Sequence, residues 1–136
     1  MTRQARIEVA RVYEPRSSDA ECRVLIDRLW PRGLTTVAAD LDNWCRDVAP
    51  STSLRRWYAH RAARFSEFRE RYLTELDDPT HIEAMLRLQA ITGGEHLILL
   101  TAVRDLNASH AAILAERLCW GQARHMPMLT HVHIHQ

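Results

Sequence analysis

The chain has 136 residues, 46% apolar and 26% charged, which is the size and mix of one globular domain whose core needs no staples. Its net charge of +1 excludes a global field for nucleic acid or anionic lipid, and no apolar stretch approaches the ~20 residues that span a bilayer. All 18 basic residues are arginines, so Schiff-base lysine chemistry and the P-loop lysine are absent. Cys22, Cys45 and Cys119 form no C-x-x-C pair and are expected to act as small core hydrophobes rather than a disulfide framework. The start, MTRQARIEVA, lacks a signal-peptide apolar region, so the expected location is the cytoplasm.

In chain order, ARIEVARVY (5–13) alternates as a strand, and EPRSSDAE is a loop rich in breakers. CRVLID (22–27) is a short apolar run stopped by Pro31 and Gly33, as a buried strand would be. Residues 35–40 suit a helical turn, and LDNWCRDV (41–48) reads equally as strand or helix. After Pro50, Ser51 is a suitable N-cap for a short helix, TSLRRWYAH. Phe65, Phe68, Tyr72 and Leu76 then recur at steps of three and four, one face of an amphipathic helix. Pro79 opens a further helix to about Ile91, with Ile82, Met85 and Leu86 expected inward and Gly93–Gly94 ending it.

HLILLTAV (96–103) is the most apolar run, and its length predicts a central strand buried on both faces. Asn107 is expected to cap a last helix over 108–120, with Ala111, Leu114 and Leu118 on one stripe and His110 at its third position. Buried strands joined by helices predict a single α/β domain over residues 1–136. Its sheet is expected to be mostly parallel, of about four strands, with helices on both faces.

Such sheets bind ligands beyond the carboxyl ends of their strands. One strand delivers Asp27, Arg28 and Arg32 there, and the other delivers Arg104, Asp105 and then His110. If the two strands are neighbours, these groups converge. Pro31 stiffens the turn, and Gly33 allows a positive φ or a close backbone approach. Each arginine would either clamp a carboxylate or phosphate, or pair with Asp27 or Asp105. Trp30 reads as core, pocket wall or stacking platform. His110 near a helix start and His60 at a helix end sit in opposite dipole fields, which suits the pair to acid and base roles. No nucleophile elbow, G-x-G-x-x-G turn or H-E-x-x-H is present.

The tail THVHIHQ puts His131, His133 and His135 on one face if extended, neighbours lying ~7 Å apart. An i,i+2 pair such as His131 and His133 could share a transition-metal ion such as zinc, with His125, Cys119 or another chain completing the site. The other reading is an edge strand or a frayed terminus.

The stretches RVLIDRLWPRG, LDNWCRDVAPSTSLRRWYAH, RFSEFRERYLTEL and LLTAVRDLNASHAAIL together resemble the YeaO-like family, domain of unknown function 488 (DUF 488), from about Arg11 to Leu118. The resemblance implies a small bacterial cytoplasmic protein and no particular chemistry. Its motif carries over onto Asp27, Arg28, Trp30, Pro31, Arg32 and Gly33. It also covers Trp44, Pro50, Ser51, Arg55, Trp57, His60, Asp105 and His110, which suggests a pocket. Two positions depart from it: Ser109 stands where relatives have Asn, and Arg104 where they have Lys. Residues 121–136, the histidines included, lie outside the resemblance.

Three functions follow as expectations. The first is an enzyme, a hydrolase or transferase, on a small anionic metabolite such as a phosphorylated compound or nucleotide. Asp27, Arg28, Trp30, Arg32, Arg55, Trp57 and Arg104 would bind it, while His60, Asp105 and His110 handle protons. The second is a metal- or haem-binding protein. The third is a non-catalytic partner-binding or regulatory module, which an apolar patch around Trp30 and Trp57 would favour. No nucleic acid or membrane partner is expected, and a homo-oligomer is left open.

Overall fold

Three β-branched and leucine-rich runs become the inner strands of a parallel sheet. The computed structural model describes residues 6–92, 96–125 and 132–134, with side chains as far as Cys119. Its strands are β1 (Ile7–Arg11), β2 (Glu21–Leu25), β3 (Asn43–Trp44), β4 (His96–Thr101) and β5 (Val132–Ile134). Its helices are α1 (Thr36–Ala39), α2 (Thr52–Tyr58), α3 (Phe65–Glu75), α4 (Pro79–Thr92) and α5 (His110–His125). The sheet order is β3-β2-β4-β1-β5, and every pairing is parallel. HLILLT is the middle strand and is buried from Leu97 to Thr101, because neighbours cover both its edges and packed layers both its faces.

The fold is the α/β arrangement expected, with helices on both faces in unequal measure. One face presents Ile7, Val9, Cys22, Val24, Leu97 and Leu99 to a core shared with α2, α3, α4 and α5. The other presents Ala10, Leu25, Ile98 and Leu100 to the short α1 and to Trp30, Leu34, Leu41 and Trp44. On that second face the fully buried Arg23 donates from Nε to the Asp40 carbonyl at 2.9 Å and from Nη2 to the Ala39 carbonyl at 2.9 Å. A buried guanidinium is tolerated because it satisfies the exposed carbonyls at the end of α1. The ambiguous stretch 41–48 resolves into the two-residue edge strand β3 and a 3-10 turn over Arg46–Val48.

Three local expectations are corrected. In α4 the inward residues are His81, Ala84 and Leu88, with Met85 half-buried, whereas Ile82 and Leu86 are 43% and 60% exposed. The cause lies at the helix start. Asp78 Oδ1 accepts from the His81 backbone N–H at 2.8 Å, and the His81 ring sits between the Asp78 carboxylate and the Ala49 carbonyl. A histidine with both nitrogens partnered takes the inward position and turns the apolar stripe outward. Second, Asn107 is not the cap of the last helix. Asp105 caps a 3-10 turn over Leu106–Ala108, and the Ser109 hydroxyl accepts from the Ala112 N–H at 3.3 Å. Third, His110 is consequently the first residue of α5, not the third. The predicted Gly93–Gly94 stop lies outside the described residues.

The phase of α4 is directly checkable. Leu88→Ala should cost about 2–5 kcal/mol in urea denaturation, as for a fully buried leucine. Leu86→Ala, two residues earlier, should stay within about 0.5 kcal/mol of the parent. Equal losses would mean that the helix is rotated from this description.

Candidate functional site

The site is built where β2 and β4 end side by side. Both strands run in the same direction in register, so Asp27 and Arg28 leave the sheet beside Ala102 and Val103. The Asp27 carboxylate accepts from the Ala102 N–H through Oδ2 at 2.8 Å, joining segments that are far apart in sequence. The next helix start brings His110 to the same place. Its Nε2 lies 3.2 Å from Asp27 Oδ1 and 3.1 Å from the Ile26 carbonyl oxygen. A carbonyl can only accept, so the Nε2 atom of His110 carries a proton and directs it at the Ile26 carbonyl, beside the Asp27 carboxylate. Asp27 Oδ1 itself is buried and forms no hydrogen bond among the described residues.

Burial by itself pushes the Asp27 carboxyl up. The His110 ring, the Ala102 N–H and the Thr101 hydroxyl together outweigh it and hold the group below the usual aspartate range.

Arg28 is oriented by backbone. Its Nε donates to the Pro50 carbonyl at 3.1 Å and its Nη2 to the Ala49 carbonyl at 3.0 Å. That strap is fixed in turn from three sides. The Tyr72 hydroxyl donates to the Val48 carbonyl at 2.6 Å, the His81 ring approaches the Ala49 carbonyl at 2.9 Å, and the Glu75 carboxylate accepts from the Ser51 N–H at 2.8 Å. Ser51 also caps α2 as expected, accepting from the Leu54 N–H. The half-buried Arg28 therefore has carbonyl partners and no ion pair among the described residues.

These elements enclose a cleft of about 220 Å³ walled by Asp27, Arg28, Leu29, Ala49, Pro50, Arg55, Tyr58, His60 and Phe68, with Ala102, Val103, Ala108, Ser109 and His110 from the segment after β4. The expected convergence of Arg28 with His110 is found. Arg55 reaches the wall from the last turn of α2, is exposed, and likewise has no ion pair among the described residues. Tyr58 stacks on Phe68 with ring centres 4.1 Å apart and donates its hydroxyl to the Ala108 carbonyl at 2.8 Å. Burial first, and then the Asp105 carboxylate, pushes the Tyr58 phenol up. Ala59 and His60 both adopt left-handed backbone, φ 48° and 56°, where non-glycine residues are strained by roughly 1–3 kcal/mol each. The chain keeps this strain where it turns His60 onto the cleft.

A second chamber of about 320 Å³ adjoins the first. Tyr58, His60, Ala102, Val103 and Ala108 line both, and Ala62, Arg104 and Asp105 complete the outer one. Asp105 thus lies in the outer chamber, apart from His110.

Other predicted residues lie elsewhere. Arg32 is exposed and lines neither chamber. Trp30 packs on the second face, edge-on to Trp44 at 5.3 Å, and its indole N–H closes the turn by donating to the Leu34 carbonyl at 2.7 Å. Gly33 takes φ 77° with open space around it, so the turn needs its backbone freedom and not a close approach. Trp57 packs against the first core under the guanidinium groups of Arg64 and Arg71. The two tryptophans therefore lie on opposite faces of the sheet and form no shared patch. Ser109 caps α5, its hydroxyl accepting from the Ala112 N–H.

Among the described residues, no group of three His, Cys, Asp or Glu is placed to hold a metal ion. His131 lies outside those residues. His133 stands opposite Glu8 in the β1–β5 register, and its side chain is outside the description. No helix among the described residues is long and apolar enough to cross a membrane.

Sequence reasoning missed Tyr58 and the backbone groups. Tyr58 could have been found, because Leu54 and Tyr58 are four apart behind the Ser51 cap and so share the inward face. The Ala49, Pro50 and Ala102 backbone atoms carry no side-chain signal at all.

Comparison with known proteins gives matches at the level of a family. A family model described as "Inactive DUF488-N3 subclade" matches residues 6–128. The uncharacterized protein Rv3073c of Mycobacterium tuberculosis (strain ATCC 25618 / H37Rv) is 45% identical over 118 residues, covering 87% of this chain and 98% of that protein. The uncharacterized protein YeaO of Escherichia coli (strain K12) is 37% identical over 112 residues, covering 82% of this chain and 96% of its own length. No solved structure matches.

The depressed Asp27 carboxyl carries a signed pH dependence. A carboxyl lowered by folding contributes stability above its unfolded value, about 3.9, and that contribution is lost as pH falls through the folded value. Asp27→Asn should therefore be less stable than the parent at neutral pH by about 1–3 kcal/mol, with the gap narrowing below about pH 4. Denaturation at several pH values reads this, and a constant gap would refute the assignment.

Proposed function

Because the chain belongs to the DUF488 family, in the subclade described as inactive, we propose that its cleft binds a small organic anion without turning it over. The class is a phosphorylated metabolite or nucleotide. One observation carries this reading: Arg28 and Arg55 face one cleft, and neither has a carboxylate within ion-pair reach among the described residues. Planar guanidinium groups set on one wall suit a phosphate or carboxylate. The apolar surface of Leu29, Pro50, Tyr58 and Phe68 suits the organic body attached to it.

The polar groups at the cleft floor are engaged with backbone. Asp27 accepts from the Ala102 N–H through Oδ2, and His110 Nε2 meets the Ile26 carbonyl with Asp27 Oδ1 3.2 Å away. With Nε2 protonated, His110 keeps its lone pair on Nδ1, so binding without turnover rests on the description of the matched subclade and not on the state of this ring. The hydrolase or transferase reading would rest on His60 and His110 at the inner cleft, with Asp105 one chamber away. The metal reading rests on His131 and His133, and the partner-binding reading loses its expected tryptophan patch.

Calorimetric titration with adenosine monophosphate and with inorganic phosphate tests the proposal. Saturable binding of the nucleotide is expected, with the nucleotide recovered intact after prolonged incubation. Arg55→Ala should weaken it by about tenfold or more, the worth of a charge-assisted hydrogen bond, and Arg28→Ala at least as much. Arg32→Ala should bind as the parent does. Because Arg28 also secures the strap, the exposed Arg55 provides the cleaner variant. Absence of binding by both probes, or full binding by Arg55→Ala, would overturn the reading.

A further inference from the structure

The inner cleft has an annex that a single anion would leave unused. Five residues, Tyr58, His60, Ala102, Val103 and Ala108, line both chambers, so the two adjoin along a shared lining. That lining is apolar and aromatic apart from the Tyr58 hydroxyl and the His60 ring. Each end holds arginine: Arg28 and Arg55 in the inner chamber, Arg104 in the outer. Arg104 has no ion pair among the described residues, although Asp105 is its neighbour in sequence. The Asp105 carboxylate is turned to the backbone, accepting from the Asn107 N–H at 3.2 Å. His60, which lines both chambers, is the second of two consecutive residues in left-handed backbone.

We propose that the two chambers form one bipartite site for an elongated organic ligand with an anionic group at each end and an apolar or aromatic middle. One anion sits with Arg28 and Arg55 and the other with Arg104, while Tyr58 and His60 flank the middle. The inference rests on the anion-binding reading above and extends it from one charged group to two. Once the first anion is seated, the second meets Arg104 at the high effective concentration set by the linker, so two modest contacts give a large gain in affinity.

Linear alkyl phosphates test the span without presupposing the natural ligand. Butane, hexane and octane diphosphates, with a phosphate at each end, are titrated calorimetrically against the matching alkyl monophosphates. At one length the diphosphate should bind about tenfold tighter or more than its monophosphate. Arg104→Ala should abolish that gain and leave monophosphate affinity unchanged, whereas Arg55→Ala should weaken both. If no length gives a gain, or if the gain survives Arg104→Ala, the bipartite site is overturned while single-anion binding stands. If neither the monophosphates nor adenosine monophosphate bind, the anion-binding reading falls and this inference with it.

Discussion

The hydrogen bond from the Ala102 N–H to the Asp27 carboxylate ties the end of β2 to the end of β4. Parallel pairing alone would bring the two strands alongside each other, but beyond their last ladder bonds the chains diverge. A charged acceptor on one and a free backbone donor on the other keep them together for one more step. The remaining Asp27 oxygen then faces the imidazole that opens α5, so three segments meet at one buried carboxylate. A buried charge is costly when its lone pairs lack partners, and here the Ala102 N–H serves Oδ2 while the His110 imidazole lies 3.2 Å from Oδ1. The cleft exists because this junction closes its floor.

The other wall follows the same logic. Residues Val48 to Ser51 form a short strap with no regular ladder to satisfy it, and side chains meet its Val48, Ala49 and Pro50 carbonyls and its Ser51 N–H. Tyr72 and Glu75 from α3, His81 from α4 and Arg28 from beyond β2 all bond to the strap, Arg28 and Glu75 twice each. The strap in turn aims Arg28. A guanidinium gripped by two carbonyls loses conformational freedom before any ligand arrives, and this preorganisation lowers the cost of binding. The same His81 that supports the strap also sets the rotation of α4. Positioning of the site and packing of a helix are therefore one constraint here.

Much of the fold was legible because it rests on local periodicity. The run HLILLT is too apolar for any place but the middle of the sheet, and Ser51 before Thr52–Tyr58 is a cap wherever the helix goes. Phe68 and Tyr72 declare the inner face of α3 by spacing alone. The reading of α4 erred because Ile82 and Leu86 outrank His81 on any hydrophobic scale, and only the Asp78 and Ala49 partners make a histidine the better core residue. Asn107 misled for a similar reason: the sequence NASH offers two capping residues, and the 3-10 turn set up by Asp105 selects the later one. Of the site, Asp27, Arg28 and His110 could be named from strand ends. Arg32, in the same turn, could not be told from Arg28 without knowing which way the turn faces.

The sequence by itself determined the elements, the central strand and the parallel α/β class. These depend on spacing within ten or fifteen residues, where side-chain period and capping chemistry act. It also determined which polar residues would stand at strand ends. Only the tertiary structure decided which of them meet. The partners of Asp27 and Arg28 are the Ala102 N–H and the Ala49 and Pro50 carbonyls, and these peptide groups are the same in every residue. Such groups become specific only when folding places them, so their part in the cleft left no mark in the amino-acid order.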